Sequence, residues 1–219
     1  MASVGLPGAT INCQHWRMPP SNDQDVFYSR FNRIVTILVW VISALAALSL
    51  FLLPPGPHLY YLVPAAFIAL FVWEFMWLPI VLVTDTAVTL RNPLRTVVIP
   101  WPALVHVDTK FALTLYTPSR KFAAFAAPAP GRSLIHGANT QVAEAVPFLN
   151  GQPRPGDLLS SESGEAAHLV RRRWDLLQQQ DLIESGVAET TPIVVAWHWG
   201  HGTALALLGA ASVIAILLA

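Results

Sequence analysis

From Ile34 to Leu53 the chain reads IVTILVWVISALAALSLFLL, twenty residues without a charge. At 1.5 Å of rise per residue such a helix is about 30 Å long, the thickness of a bilayer's hydrocarbon core. Backbone groups in lipid must pair within their own segment, which leaves helix as the conformation for this run. Pro54, Pro55, Gly56 and Pro57 then end it abruptly. Residues 59–83 predict a second span, with Tyr60 and Tyr61 at one end and Trp73 and Trp77 near the other as interfacial anchors. The short proline-rich connection makes 34–53 and 59–83 an antiparallel hairpin. A third span is expected over 192–219, opening at Pro192 and uncharged to Ala219. Only 12% of the residues are charged, about half the share of a soluble domain, so the rest of the chain cannot offset these spans.

Orientation follows from the basic residues. Arg17, Arg30 and Arg33 precede the first span, and the other ten Lys and Arg of the thirteen lie between the second and third. The positive-inside rule then predicts that the tail 1–33 and the region 84–190 are cytoplasmic, with the Pro54–His58 turn and Ala219 outside. The expected location is the plasma membrane.

Between the spans the pattern changes. Short runs such as AVTLR, TVVIPW, LVHVDT and FALTLYT are rich in Val, Leu, Ile and Thr and partly alternate, the signature of half-buried antiparallel strands. Asn92-Pro93 and Pro118-Ser119 mark turns, and KFAAFAA makes a returning strand. Residues 128–164, dense in Pro, Gly, Ser and Asn, read as a long loop with a brief helical turn near Gln141–Phe148. Ser163 is then a helix N-cap, and 165–182 has an apolar face through Ala166, Leu169, Val170, Trp174 and Leu177. The fold class is therefore an α+β membrane protein: three transmembrane helices and an antiparallel sheet capped by one helix.

The run TDTAVTLRNPLRTVVIPWPALVHVDTKFALTLYTPSRKFAAFAAPAPG resembles the PH-like domain of small actinobacterial membrane proteins. Its phrase VVIPWPALVHV is similar to the hydrophobic-Pro-Trp turn of bacterial PH domains, and SGEAAHLVRRRW fits the same plan. The resemblance implies a bent antiparallel β-barrel over 84–190, capped by the C-terminal helix. Eukaryotic PH domains that bind phosphoinositides carry a Lys/Arg cluster on and around their first two strands. Here that region supplies only Arg91 and Arg95, with Asp85 close by, so a phosphoinositide pocket is not expected.

Few residues stand out as sites. Arg171, Arg172 and Arg173 form the one dense basic run and, with Trp101, are the candidate lipid- or partner-binding residues. Glu74 is the one ionisable residue inside the expected second span, and burying it is costly. It is expected, with Gly202 and Gly209 on the third span, to make an intramembrane contact. His198 and His201 are three apart, a spacing that alone is too weak for a metal site, and with Trp197 and Trp199 they read as an interfacial aromatic collar. Cys13 is the only cysteine, which excludes an intrachain disulfide and a cysteine-rich metal site. No catalytic motif, cofactor or metal is expected. Ten acidic against ten basic residues in 84–190 make poor material for a nucleic-acid surface.

The expected function is a non-enzymatic, membrane-anchored binding or scaffold protein, an accessory subunit of a larger membrane complex. The partners are the bilayer and a protein in the membrane or cytoplasm. The alternatives are a sensor of anionic lipid through the basic helix, and a redox or proton-linked role for Glu74 with the two histidines. A reporter enzyme fused after Ala219 is expected to be active outside the cytoplasm; activity inside would overturn the three-span topology.

Overall fold

The computed structural model describes residues 24–54, 56–129, 158, 161–184 and 186–219. The expected tail up to residue 23, most of the 128–164 loop and the helical turn near Gln141–Phe148 lie outside the described residues.

Among the described residues, three helices are long and apolar enough to cross a membrane. Helix α1 covers Arg30–Phe51. The second rod starts as a 3₁₀ turn at Pro57–Tyr61, continues as α2 over Leu62–Val72 and ends in a π-turn at Trp73–Trp77. The last span is α4, Trp199–Leu218, and between them in sequence lies α3, Glu162–Gln179. Helix α2 packs against both α1 and α4. The indole N–H of Trp40 donates to the Ala69 carbonyl (3.1 Å) and its ring stacks on Trp77. The outer face of α1, from Ile34 and Ile37 through Leu45 and Leu48, is bare, as a lipid-facing surface should be.

Five strands form the first antiparallel sheet, in the order β1 (Asp25–Phe27), β2 (Ile80–Val83), β3 (Ala87–Asn92), β4 (Arg95–Pro100) and β8 (Val194–Trp197). The second sheet holds β5 (His106–Asp108), β6 (Ala112–Tyr116) and β7 (Lys121–Pro128). The two sheets face each other without closing, and α3 covers them from one side, touching β2, β5, β6 and β7. The closed barrel expected above is therefore replaced by two separate sheets. The 3₁₀ turn Trp101–Ala103, opened by Pro100 and Pro102, carries the chain from one sheet to the other. Val81, Leu90, Ile99, Trp101, Leu115 and Val170 are among the residues of one continuous core.

Each of the three long apolar helices adjoins a strand of the first sheet, which revises the expected span boundaries. The second span is helical only to Trp77. Pro79 lacks a ladder donor, and Ile80–Val83 beyond it extends to pair with β1 and β3, Val83 lying opposite Val88. The third span does not begin at 192: Val194–Trp197 is strand, filling the free edge of β4 with Val194 opposite Val98 and Trp197 opposite Arg95. The β-branched run Ile193-Val194-Val195 favours that extended form. At the first span the helix starts four residues before Ile34, with Ser29 as N-cap, and Asp25–Phe27 within the expected tail is an edge strand. The sheet domain thus includes β1, β2 and β8, all outside 84–190.

Helix α3 also begins earlier than expected and stops earlier. Ser161, not Ser163, is the N-cap; its hydroxyl accepts from the Gly164 N–H (3.0 Å), and Glu162 and Glu165 sit in the positive first turn. Gly164 is required there, because a β-carbon would come within 2.1 Å of the Leu158 carbonyl oxygen. After Gln179 the chain turns through Asp181 in a left-handed conformation (φ 53°), short of Leu182.

A fragment of residues 84–190 lacks three of the five strands of the first sheet, and with them the buried Phe27, Val81 and Val83. It is expected to show no cooperative thermal transition by circular dichroism, whereas the full chain in detergent does; a sharp transition in the fragment would overturn the fused arrangement.

Candidate functional site

The π-turn at the end of the second span widens the helix by one residue, with the Leu78 N–H donating to the Trp73 carbonyl (3.1 Å). On this turn the Glu74 side chain points into protein and is only 2% exposed. A carboxyl group buried at a membrane edge needs donors, and two reach it. The backbone N–H of Leu94 donates to Oε1 (3.1 Å), and Oε2 lies 2.7 Å from Nδ1 of His201.

Leu94 sits at the tip of the β3–β4 hairpin in a left-handed conformation (φ 61°), which costs a residue with a β-carbon about 1–2 kcal/mol. The same residue is held through its carbonyl as well. Its carbonyl accepts from the backbone N–H of His198 (2.7 Å), the residue that precedes α4. His198 Nε2 is 3.2 Å from the Thr96 hydroxyl on β4. His201, one helical turn on, shares a face with His198, their rings 5.6 Å apart and the Trp73 ring 6.0 Å from His201. The π-turn, the hairpin tip and the first turn of α4 are thereby joined by polar contacts at one point. The ligating atoms of Glu74, His198 and His201 all lie within 4.8 Å of one another, a set able to hold a cation. Burial pushes the His198 imidazole below its usual pKa; the Arg91 guanidinium and His201 push it further down, and Glu74 opposes them.

The structure places the sequence-derived residues unevenly. Glu74 and the two histidines, 124 and 127 positions away, come together, although the sequence reading grouped them only in its redox or proton-linked alternative. Trp197 and Trp199 remain outward, 54% and 75% exposed, and the collar is therefore theirs alone, with the imidazole of His201 turned toward α2. Gly209 lets α4 approach α2: a β-carbon there would come within 3.3 Å of the Phe67 ring. At Gly202 a β-carbon would meet the Leu94 side chain at an ordinary 3.9 Å, so no close approach requires a glycine there.

Trp101 is withdrawn as a binding residue. It is 2% exposed, and its indole N–H donates to the Thr84 carbonyl (2.9 Å), so it fills the core and cannot meet a partner. The basic run is divided. Arg171 donates to the Val107 carbonyl (3.0 Å), Arg173 is paired with Asp85, and Arg172 points to solvent.

Two contacts went unread in the sequence. Thr96 holds His198, and Glu162 clasps the start of α1, accepting from the Ser29 hydroxyl (2.7 Å) and from the Phe31 N–H (3.1 Å). Ser29 itself caps α1 through the Asn32 N–H, so a first-turn residue of α3 completes the cap of a long apolar helix. Ser29 before an apolar run was a usable cap signal; nothing local marked Glu162 or Thr96.

Among known proteins, a family model described as the bacterial PH domain matches residues 79–188, half of the chain. Neither the curated proteins nor the solved structures give a match.

His201→Leu removes the hydrogen-bond partner of Glu74 Oε2 and leaves that buried oxygen unpaired. Stability in detergent is expected to fall by about 1–3 kcal/mol, read by denaturant unfolding. Glu74→Gln in the wild-type background, which keeps an acceptor for Leu94 and an amide to meet His201, is expected to lose less.

Proposed function

The chain belongs to the bacterial PH domain family, and on that premise we propose that it is a non-enzymatic, membrane-anchored binding or scaffold protein. It presents its sheet domain at the inner face of an actinobacterial plasma membrane as an accessory subunit of a larger membrane assembly. The observation that carries this reading is the fusion of domain and anchor. Strands β1, β2 and β8 are each separated from a membrane helix by only a few residues, so the domain cannot swing on a tether. A surface held at a fixed height and angle suits docking to another membrane-held protein, because little orientational freedom is lost on binding.

Sidedness rests on the thirteen Lys and Arg, none of which lies in the Pro54–His58 turn or after Pro192. Outside the spans Val105 and Phe111 are exposed, Phe111 at 79%, which offers apolar material for a protein contact. Sensing of anionic lipid through Arg171–Arg173 is the weaker reading. Arg171 and Arg173 already hold the domain together, which leaves Arg172 to act alone. A single exposed arginine contributes about 1 kcal/mol at an anionic surface, too little for a sensor.

Purification of the full chain from its native membrane in gentle detergent, followed by mass spectrometry, is expected to recover a membrane protein in constant ratio to it. A monomer without a reproducible partner would overturn the accessory-subunit reading.

A further inference from the structure

We propose that Glu74, His198 and His201 form a binding site for a divalent transition-metal ion of the zinc type, at the joint between the second and third spans and the β3–β4 hairpin. The donor set is one carboxylate and two imidazoles, which suits borderline ions such as Zn²⁺ and Co²⁺ over Mg²⁺ or Ca²⁺. All three ligating atoms already lie within 4.8 Å of one another. Around a tetrahedral ion with bonds of about 2.0–2.1 Å, donors stand about 3.3 Å apart, so the widest pair closes by at most about 1.5 Å while the Glu74–His201 pair, now 2.7 Å apart, opens slightly. Rotation of the imidazoles can supply these shifts: both histidines are partly exposed, and the His201 side chain is 40% accessible. That exposure also gives the ion a path in.

The surroundings are those of a supported site. Metal-bound imidazoles and carboxylates are usually oriented by a second hydrogen bond. Thr96 supplies one beside His198, and the Leu94 N–H fixes the other oxygen of Glu74. His198 and His201 stand at the entry to α4, so their i, i+3 spacing aims both imidazoles at one point, while the π-turn delivers the carboxylate from α2. Three protein donors leave a fourth position for water or a partner's side chain. An ion here would tie the two membrane helices to the hairpin tip and so make the posture of the sheet domain depend on metal.

The test uses the full chain in detergent, free of any histidine tag and stripped with a chelator. Co²⁺ titration is followed by visible absorption and Zn²⁺ competition, with metal content measured by mass spectrometry. The expected result is saturable binding at about one Co²⁺ per chain, displaced by Zn²⁺ and untouched by Mg²⁺. Glu74→Gln, His198→Ala and His201→Ala should each weaken it at least about tenfold, and Thr96→Val by about tenfold. His198→Ala gives up the hydrogen bond to Thr96, but the His198 side chain does not cap α4, so the variant is expected to stay folded, checked by a cooperative thermal transition after chelator treatment. Absence of saturable Co²⁺ binding overturns the proposal. So does binding that survives both His198→Ala and Glu74→Gln.

Discussion

The backbone of Leu94 is held at both its N–H and its carbonyl, and the joint between the first sheet and the apolar helices depends on it. Its N–H is taken by the Glu74 carboxyl from the second span, and its carbonyl takes the backbone N–H of His198 from the entry to the third. A hairpin tip would otherwise meet water; here it is docked between two helix ends. The left-handed backbone at Leu94 is the counterpart of that docking, since it aims the N–H at the carboxyl. Remove the carboxyl and the hairpin loses its seat. Remove the hairpin and the carboxyl is buried beside an imidazole with half its hydrogen bonds unmade.

A second joint works on the other side of the domain. Glu162 belongs to the positive end of α3, yet its carboxylate also accepts at the start of α1, where four backbone N–H groups have no helical partner. One side chain thus serves two helix termini. With β1, β2 and β8 drawn from the flanks of the spans, the domain is joined to its anchor by backbone ladders as well as by side chains. The exposed pair Arg30–Glu165, 3.8 Å apart, adds little beside these. The basic run on α3 belongs to the same economy, two of its three arginines securing the helix to the sheets.

What was legible and what was not divides along physical lines. Twenty uncharged residues admit one conformation in lipid, so the core of each span could be read directly. The hairpin turns at Asn92-Pro93 and Pro118-Ser119 were equally local, and the structure puts strand reversals at both. Span ends were misread because Ile, Leu and Val serve a lipid-facing helix and a buried strand alike. Ile80–Val83 and Val194–Trp197 are as apolar as the helices beside them, and pairing with β3 and β4 decides their form. Trp101 was misread for a similar reason: an aromatic next to prolines suits a surface or a core, and only the packed position distinguishes them.

By itself the sequence determined the class of this protein: three helices apolar and long enough to span a membrane, a β-rich segment between the second and third, and a family resemblance carried by the Pro-Trp turn. Those are properties of composition and short-range pattern, in which each residue's preference is set by its near neighbours. The tertiary structure alone decided that the sheet is built partly from the ends of the spans, that it stays open, and that Glu74 meets His198 and His201. Those outcomes hang largely on contacts between residues distant in sequence, such as Asp25 with Val83, Arg95 with Trp197 and Glu74 with His201. No local preference encodes such contacts, because their energy exists only once the backbone ladders have brought the segments together.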